Sequence, residues 1–135
     1  MNESGLVVRF CPADTVALWR AYLDALRDRG IDIFATIDHK QNAEDAGLAM
    51  PETRLIVFGN PQAGTPLMLQ APDLALDLPL RVLLRETRGG CELVYTPASV
   101  LASRYGLAAD NPIILKMDGL LVGLADQACA MAVEG

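Results

Sequence analysis

The chemistry this sequence could perform rests on a few residues: Asp38 beside His39, the turn Gly59-Asn60-Pro61-Gln62-Ala63-Gly64-Thr65-Pro66, and Asp77. His39 is the only histidine. A histidine next to a carboxylate suggests half of an acid-base pair. Neighbours on an extended chain point to opposite faces, however, so His39 would need Asp77 or a thiol brought to it by the fold. The glycine- and proline-rich turn follows an apolar run and precedes a helix start. There backbone N–H groups attract anions. The lysine and following Ser or Thr of a nucleotide-binding loop are missing, which narrows the expectation to a small polar or anionic ligand. Asn60, Gly64 and Thr65 would hold it, with Asp38, His39 and Asp77 converging from neighbouring turns. The competing readings are a turn shaped by packing alone and a hydrogen-bonded histidine at the rim of a sheet.

Other chemistries are poorly represented. No G-x-S-x-G segment is present, nor a dinucleotide fingerprint. Cys11, Cys91 and Cys129 form no C-x-x-C pair, so neither a zinc site nor a redox dithiol is indicated and no metal set is expected. Buried free thiols are the plain reading. Cys11 stands apart because it precedes Pro12 at an apparent helix start, where a thiol pKa can fall. No cofactor can be named.

These residues need elements to position them. Leu55-Ile56-Val57-Phe58 is apolar at every position, as in a strand covered on both faces. Gly5–Phe10 reads as an earlier strand. A helix follows, with Pro12 at its first position, Asp14 in its first turn and Gly30 as its stop. Its stripe is Val16, Trp19, Leu23 and Leu26, widened by Leu18, Tyr22 and Ala25. Ile31–Ile37 alternates as a second strand, with Ile31, Ile33, Ala35 and Ile37 on one side. Residues 40–45 suit a loop or a short helical segment. Thr65 and Pro66 look like the cap and first residue of a helix ending at Ala71, and Pro72 opens a turn that closes by Asp77. Leu78–Thr87 and Cys91–Thr96 form a hairpin about Arg88-Gly89-Gly90. A short helix spans Pro97–Tyr105. A long amphipathic helix over 111–133 is capped by Asn111, with Gly119 and Gly123 as points of loosening.

The length of 135 residues fits a single domain, 1–135, with a hydrophobic content of 52% that can fill a core. The protein is acidic, with a formal charge of −6, so nucleic acid is a poor partner. No apolar tract is long enough to cross a membrane and Met1-Asn2-Glu3-Ser4 shows no leader, which points to a cytoplasmic protein.

Asp38-His39, the Gly59-Asn60-Pro61 turn with Gly64-Thr65-Pro66-Leu67-Met68 behind it, and Ala75-Leu76-Asp77-Leu78-Pro79-Leu80 together resemble the family called domain of unknown function 302. The hairpin Gly90 to Tyr95 fits the same pattern. The resemblance covers about 5–107 and implies an α+β fold like that of the TATA-binding protein, β-α-β4-α: a single antiparallel-type sheet covered on one face by helices. Members often look dimeric, and no activity comes with the resemblance. A fold shared with a DNA-binding protein does not carry its function. Three readings follow. The first is a small-ligand-binding homodimer, with the apolar final helix at its interface. The second is an enzyme of redox or hydrolytic type using His39 with Asp77 or Cys11. The third is an assembly module without a ligand site.

Overall fold

The computed structural model describes residue 2 and residues 4–135; Met1 and Glu3, part of the start inspected for a leader, lie outside the described residues. The elements in chain order are β1 (Val7–Cys11), α1 (Thr15–Asp28), β2 (Asp32–Asp38), α2 (His39–Asp45), β3 (Thr53–Gly59), α3 (Pro61–Gln70), a 3-10 turn (Pro72–Leu76), β4 (Leu80–Thr87), β5 (Gly90–Tyr95), α4 (Ala98–Arg104) and α5 (Pro112–Glu134). The strands make one antiparallel sheet in the order β1-β5-β4-β3-β2. Strands β2 to β5 form a meander, and β1 closes it beside β5. This is the α+β architecture expected from the sequence, with helices on one face of the sheet.

The covered face explains the alternation of the strands. Ile56 and Phe58 of β3, Leu80, Val82 and Leu84 of β4, and Cys91, Leu93 and Tyr95 of β5 are all buried in one core with α1, α4 and α5. Burying such side chains is worth roughly 1.5–3 kcal/mol each, which is what fixes the register. The stripe of α1 is centred on Leu18, Ala21, Tyr22 and Ala25 rather than on Trp19, which is half-buried with the Arg54 guanidinium 4.6 Å from its ring centre. That pairing is a cation–π contact. Helix α5 runs unbroken through Gly119 and Gly123 and buries Ile114, Met117, Leu121, Leu124, Ala125 and Ala128.

Four expectations need correction. Strand β3 is buried on one face only: Ile56 and Phe58 are in the core, whereas Leu55 and Val57 on the other face are half-buried. Phe34 is an extra residue in β2, between Ile33 paired with Phe58 and Ala35 paired with Val57. Such a bulge breaks the two-residue repeat, so Ile33 and Ala35 do not share a face. Helix α1 begins at Thr15 after Asp14, leaving Pro12 outside it. Cys11 and Cys129 are joined in a disulfide with Cα atoms 5.8 Å apart, and Cys91 alone is a free, buried thiol.

Candidate functional site

At one end of the sheet, β3 leaves through Gly59 and β4 enters from Leu78-Pro79. Between them α3 is laid down earlier than the sequence suggested. Asn60 rather than Thr65 is its cap: the Asn60 Oδ1 accepts from the Gln62 N–H at 2.9 Å, and Pro61 takes the first turn, where no N–H is needed. The Ala63 and Gly64 N–H groups both donate to the Asn60 carbonyl, at 2.9 and 3.0 Å. The glycine-rich stretch is therefore helix, and the amides that would cradle an anion already have partners.

Behind this turn lies a cavity of about 290 Å³. Its walls are Phe34 and Gly59 from the sheet, Asn60, Ala63, Gly64, Thr65 and Met68 from the turn and α3, Leu78, Pro79 and Leu80 from the entry to β4, and Met117 and Leu120 from α5. The lining is overwhelmingly apolar, with Asn60 and Thr65 the polar side chains at its edge. A second, wider depression of about 700 Å³ shares Asn60, Ala63, Met117 and Leu120 with it and adds Arg29 and Lys116. The glycines leave room. A methyl at Gly64 would sit 3.7 Å from Leu78 and 3.8 Å from Met68, and one at Gly59 would sit 3.5 Å from Pro79 and 3.8 Å from Phe34.

Three of the six site residues expected from the sequence, Asn60, Gly64 and Thr65, line this cavity. Asp38 and His39 do not join them. Asp38 pairs with Arg54 at the far end of β3, six residues from Asn60, a run of roughly 20 Å. There Asp38 caps α2, accepting from the Gln41 N–H at 2.9 Å, and its other oxygen is 3.3 Å from Arg54 Nη2. Glu52 grips the same guanidinium at 3.2 Å. Asp38 is thus held by structure, and His39 is an exposed first residue of α2.

Asp77 lies at the cavity end but outside the cavity. Its carboxylate accepts from the Tyr105 hydroxyl and from Arg104 Nη1, the latter at 3.0 Å, which ties the end of α4 to the turn before β4. The Tyr105 hydrogen bond, then Arg104 and the charge of Arg81, hold the Asp77 carboxyl below the usual range; Tyr105 is raised by the same hydrogen bond.

The pairs required by the enzyme reading are not assembled. Asp77 and His39 stand at opposite ends of β3, and Cys11, in a disulfide, sits at the opposite sheet edge from His39, four strand spacings or roughly 19 Å away. Among the described residues no group of three or more His, Cys, Asp or Glu could hold a metal ion. Sequence reasoning missed Phe34, Met68, Pro79, Met117 and Leu120 as cavity residues, because an apolar wall assembled from four elements has no motif.

Comparison with known proteins places this arrangement. The profile for domain of unknown function DUF302 matches residues 12–122, reaching into α5 and so beyond the motif region. The chain belongs to the DUF302 family. An uncharacterised DUF302 protein from Bacillus stearothermophilus has a similar crystal structure, with a TM-score of 0.74, 9% identity, and coverage of 95% of this chain and 98% of that one. At that identity the likeness is one of fold. Curated relatives of this DUF302 domain include the fluoride-specific ion channel FluC 1 of Brucella suis, 36% identical over 118 residues that make up 84% of this chain and 45% of that protein. FluC 2 of Brucella melitensis matches at the same identity over 43% of its length. The chain thus spans less than half the length of these relatives. No helix among the described residues is long and apolar enough to cross a membrane.

Proposed function

We propose that this DUF302 domain binds a small, largely apolar molecule in the cavity enclosed by α3, the Leu78-Pro79 turn and α5. The observation that carries this reading is the cavity itself: about 290 Å³ of space walled by Phe34, Met68, Leu78, Pro79, Met117 and Leu120. That is near the lower end of the range of small-molecule sites. Asn60, Gly64 and Thr65 remain its contact residues. The chemistry differs from a polar or anionic site at the turn, because the turn's amides are already bonded and the walls are greasy. The test is thermal unfolding with and without 1-hexanol. The midpoint of the native protein should rise with alcohol concentration, and Ala63→Leu, which puts side-chain volume into the cavity, should abolish the rise. No shift in the native protein would sink the reading.

The fluoride conduction named for the Brucella relatives belongs, on this reading, to the larger part of those proteins that the chain does not match. The disulfide stands against the cytoplasmic expectation, since such bonds persist chiefly in oxidising compartments.

A specific observation also favours a homodimer, through a different face from the one the sequence suggested. The apolar stripe of α5 is taken up by the core. The sheet face away from the helices presents Val8 and Phe10, 37% and 50% exposed, beside half-buried Leu55, Val57 and Leu83. Arg81, Arg85 and Glu92 lie on the same face. Arg85 and Glu92 are already paired with each other, 3.1 Å apart, so the apolar residues are what a twofold-related copy would cover, sheet to sheet. Light scattering should give a dimer mass that Phe10→Glu converts to a monomer; a monomeric native protein would refute it.

A further inference from the structure

We infer that the molecule held in the cavity is an amphiphilic carboxylic acid, its hydrocarbon body inside and its carboxylate in the adjoining basin between Arg29 and Lys116. This rests on the cavity being a ligand site and goes on to assign the ligand's class. The two depressions share Asn60, Ala63, Met117 and Leu120 and so adjoin, and the proposed ligand spans both. Their chemistry changes sharply along that path. The cavity has no charged residue in its lining, whereas the basin has two cations and no acid.

On a protein with a formal charge of −6, two cations facing one depression without a carboxylate are a local reversal of sign. Among the described residues, neither Arg29 nor Lys116 enters an ion pair. Arg29 is also held in place. Its Nε donates to Gln127 Oε1 at 3.1 Å, and its guanidinium lies over Gly123, 3.1 Å from where a Cβ would stand. The nearest acid on its own helix, Asp28, lies on the other side of that amide, 3.5 Å from Gln127 Nε2. A glycine at 123 therefore gives the guanidinium its seat on α5, on the helix that also carries Lys116. A fork of fixed donors and an exposed ammonium lining one basin suit a carboxylate. The apolar cavity behind them suits an alkyl chain.

The experiment is calorimetric titration of the native protein with straight-chain carboxylates from butanoate to decanoate and with the 1-alcohols of the same lengths. Affinity should rise about threefold to fourfold per methylene until the cavity is full. Carboxylates should bind about tenfold more tightly than matched alcohols. Arg29→Gln and Lys116→Gln should each remove most of that advantage while leaving alcohol affinity unchanged, and Ala63→Leu should weaken both series. Equal binding of acids and alcohols, or charge variants that weaken both alike, would overturn the carboxylate assignment and leave the cavity reading standing. Failure of both series to bind would overturn the two together.

Discussion

The two ends of the sheet are built on opposite terms. At one end β1 and β5 meet with Cys11 opposite Cys91, and the disulfide to Cys129 clamps β1 to α5. The backbones approach closely there: a methyl on Gly90 would press into the Cys11 carbonyl oxygen and come within 3.0 Å of the Pro12 Cα, although a polar surface depression opens beside them. The Cys91 thiol donates to that same carbonyl at 3.7 Å, and burial raises its pKa, so it stays a protonated, inert group. At the other end, Gly59 and Gly64 have ordinary clearance and face open volume. Glycine thus does opposite work in the two places. At Gly90 it permits contact, and at Gly64 it preserves a gap. One end is cross-linked, while the other borders the open volume in which the ligand is proposed to sit.

The largest expected effect comes from opening the clamped end. Cys11→Ser with Cys129→Ser frees a loop of sequence separation 118, for which loss of the cross-link costs about 2–5 kcal/mol. Urea unfolding should show it, and the hexanol shift should survive in the fraction that folds. Equal stability with and without the bond would mean that this end is not the stronger one. Gly90→Ala comes next, at about 1–3 kcal/mol, because the obstructing atoms are backbone and cannot rotate aside. Its cost should fall when the disulfide is absent, since β1 is then free to move. A double-mutant cycle reads that coupling, and strict additivity would count against it.

Smaller changes of favourable sign are expected elsewhere. Gly64→Ala replaces a glycine inside α3 without a clash and should stabilise by about 0.5–1 kcal/mol. Its methyl enters the cavity, so the hexanol shift should shrink as the melting temperature rises. A rise in both would show that Gly64 does not face the bound molecule. Between the two ends, Tyr22 is fully buried against Phe58, its ring centre 5.7 Å away. Among the described residues its hydroxyl has no hydrogen-bond partner, and burial pushes its pKa far up. Tyr22→Phe should therefore stabilise by about 1 kcal/mol in chemical denaturation, with ligand response unchanged. A destabilised variant would place an unseen partner at that hydroxyl.

The sequence showed the frame more clearly than the site, for physical reasons. Alternation at Leu80, Val82 and Leu84 and the cap at Asn111 are local signals, and they locate β4 and α5 closely. The bulge at Phe34 has no local signature, since any residue can be the extra one. Thr65 before Pro66 was expected as the cap, and sequence reasoning missed Asn60 before Pro61, which is also a capping residue ahead of a proline. The structure chooses Asn60, which leaves Pro66 inside the helix. Asp38-His39 looked like chemistry because a histidine beside a carboxylate suggests half of an acid-base pair. The aspartate's neighbours, Arg54 and the Gln41 N–H, show it to be a cap and an ion-pair partner. Cys11 and Cys129 gave no hint of pairing because their contact depends on α5 returning along the sheet to β1.

The finest test concerns Asp77, which fastens the open end without entering the cavity. With its folded pKa lowered, chiefly by the Tyr105 hydroxyl, Asp77 binds protons less readily in the native state than in the unfolded one. Its contribution to stability is therefore present above its ordinary pKa and lost as the pH falls through the lowered native value. Tyr105→Phe removes the main donor, so stability should fall near neutrality, where Asp77 is ionised, and change little at pH below the native Asp77 pKa, where the carboxyl is protonated in both proteins. The local consequence sharpens the contrast between the ends. Asp77 directly precedes Leu78 and Pro79, two cavity walls, so loosening it should speed hydrogen exchange at Leu80 and weaken hexanol binding. Exchange at Cys91, anchored at the clamped end, should stay as slow as before. If both ends loosened together, the sheet would be transmitting the change as a rigid unit, and the division between a closed end and a receptive one would fail.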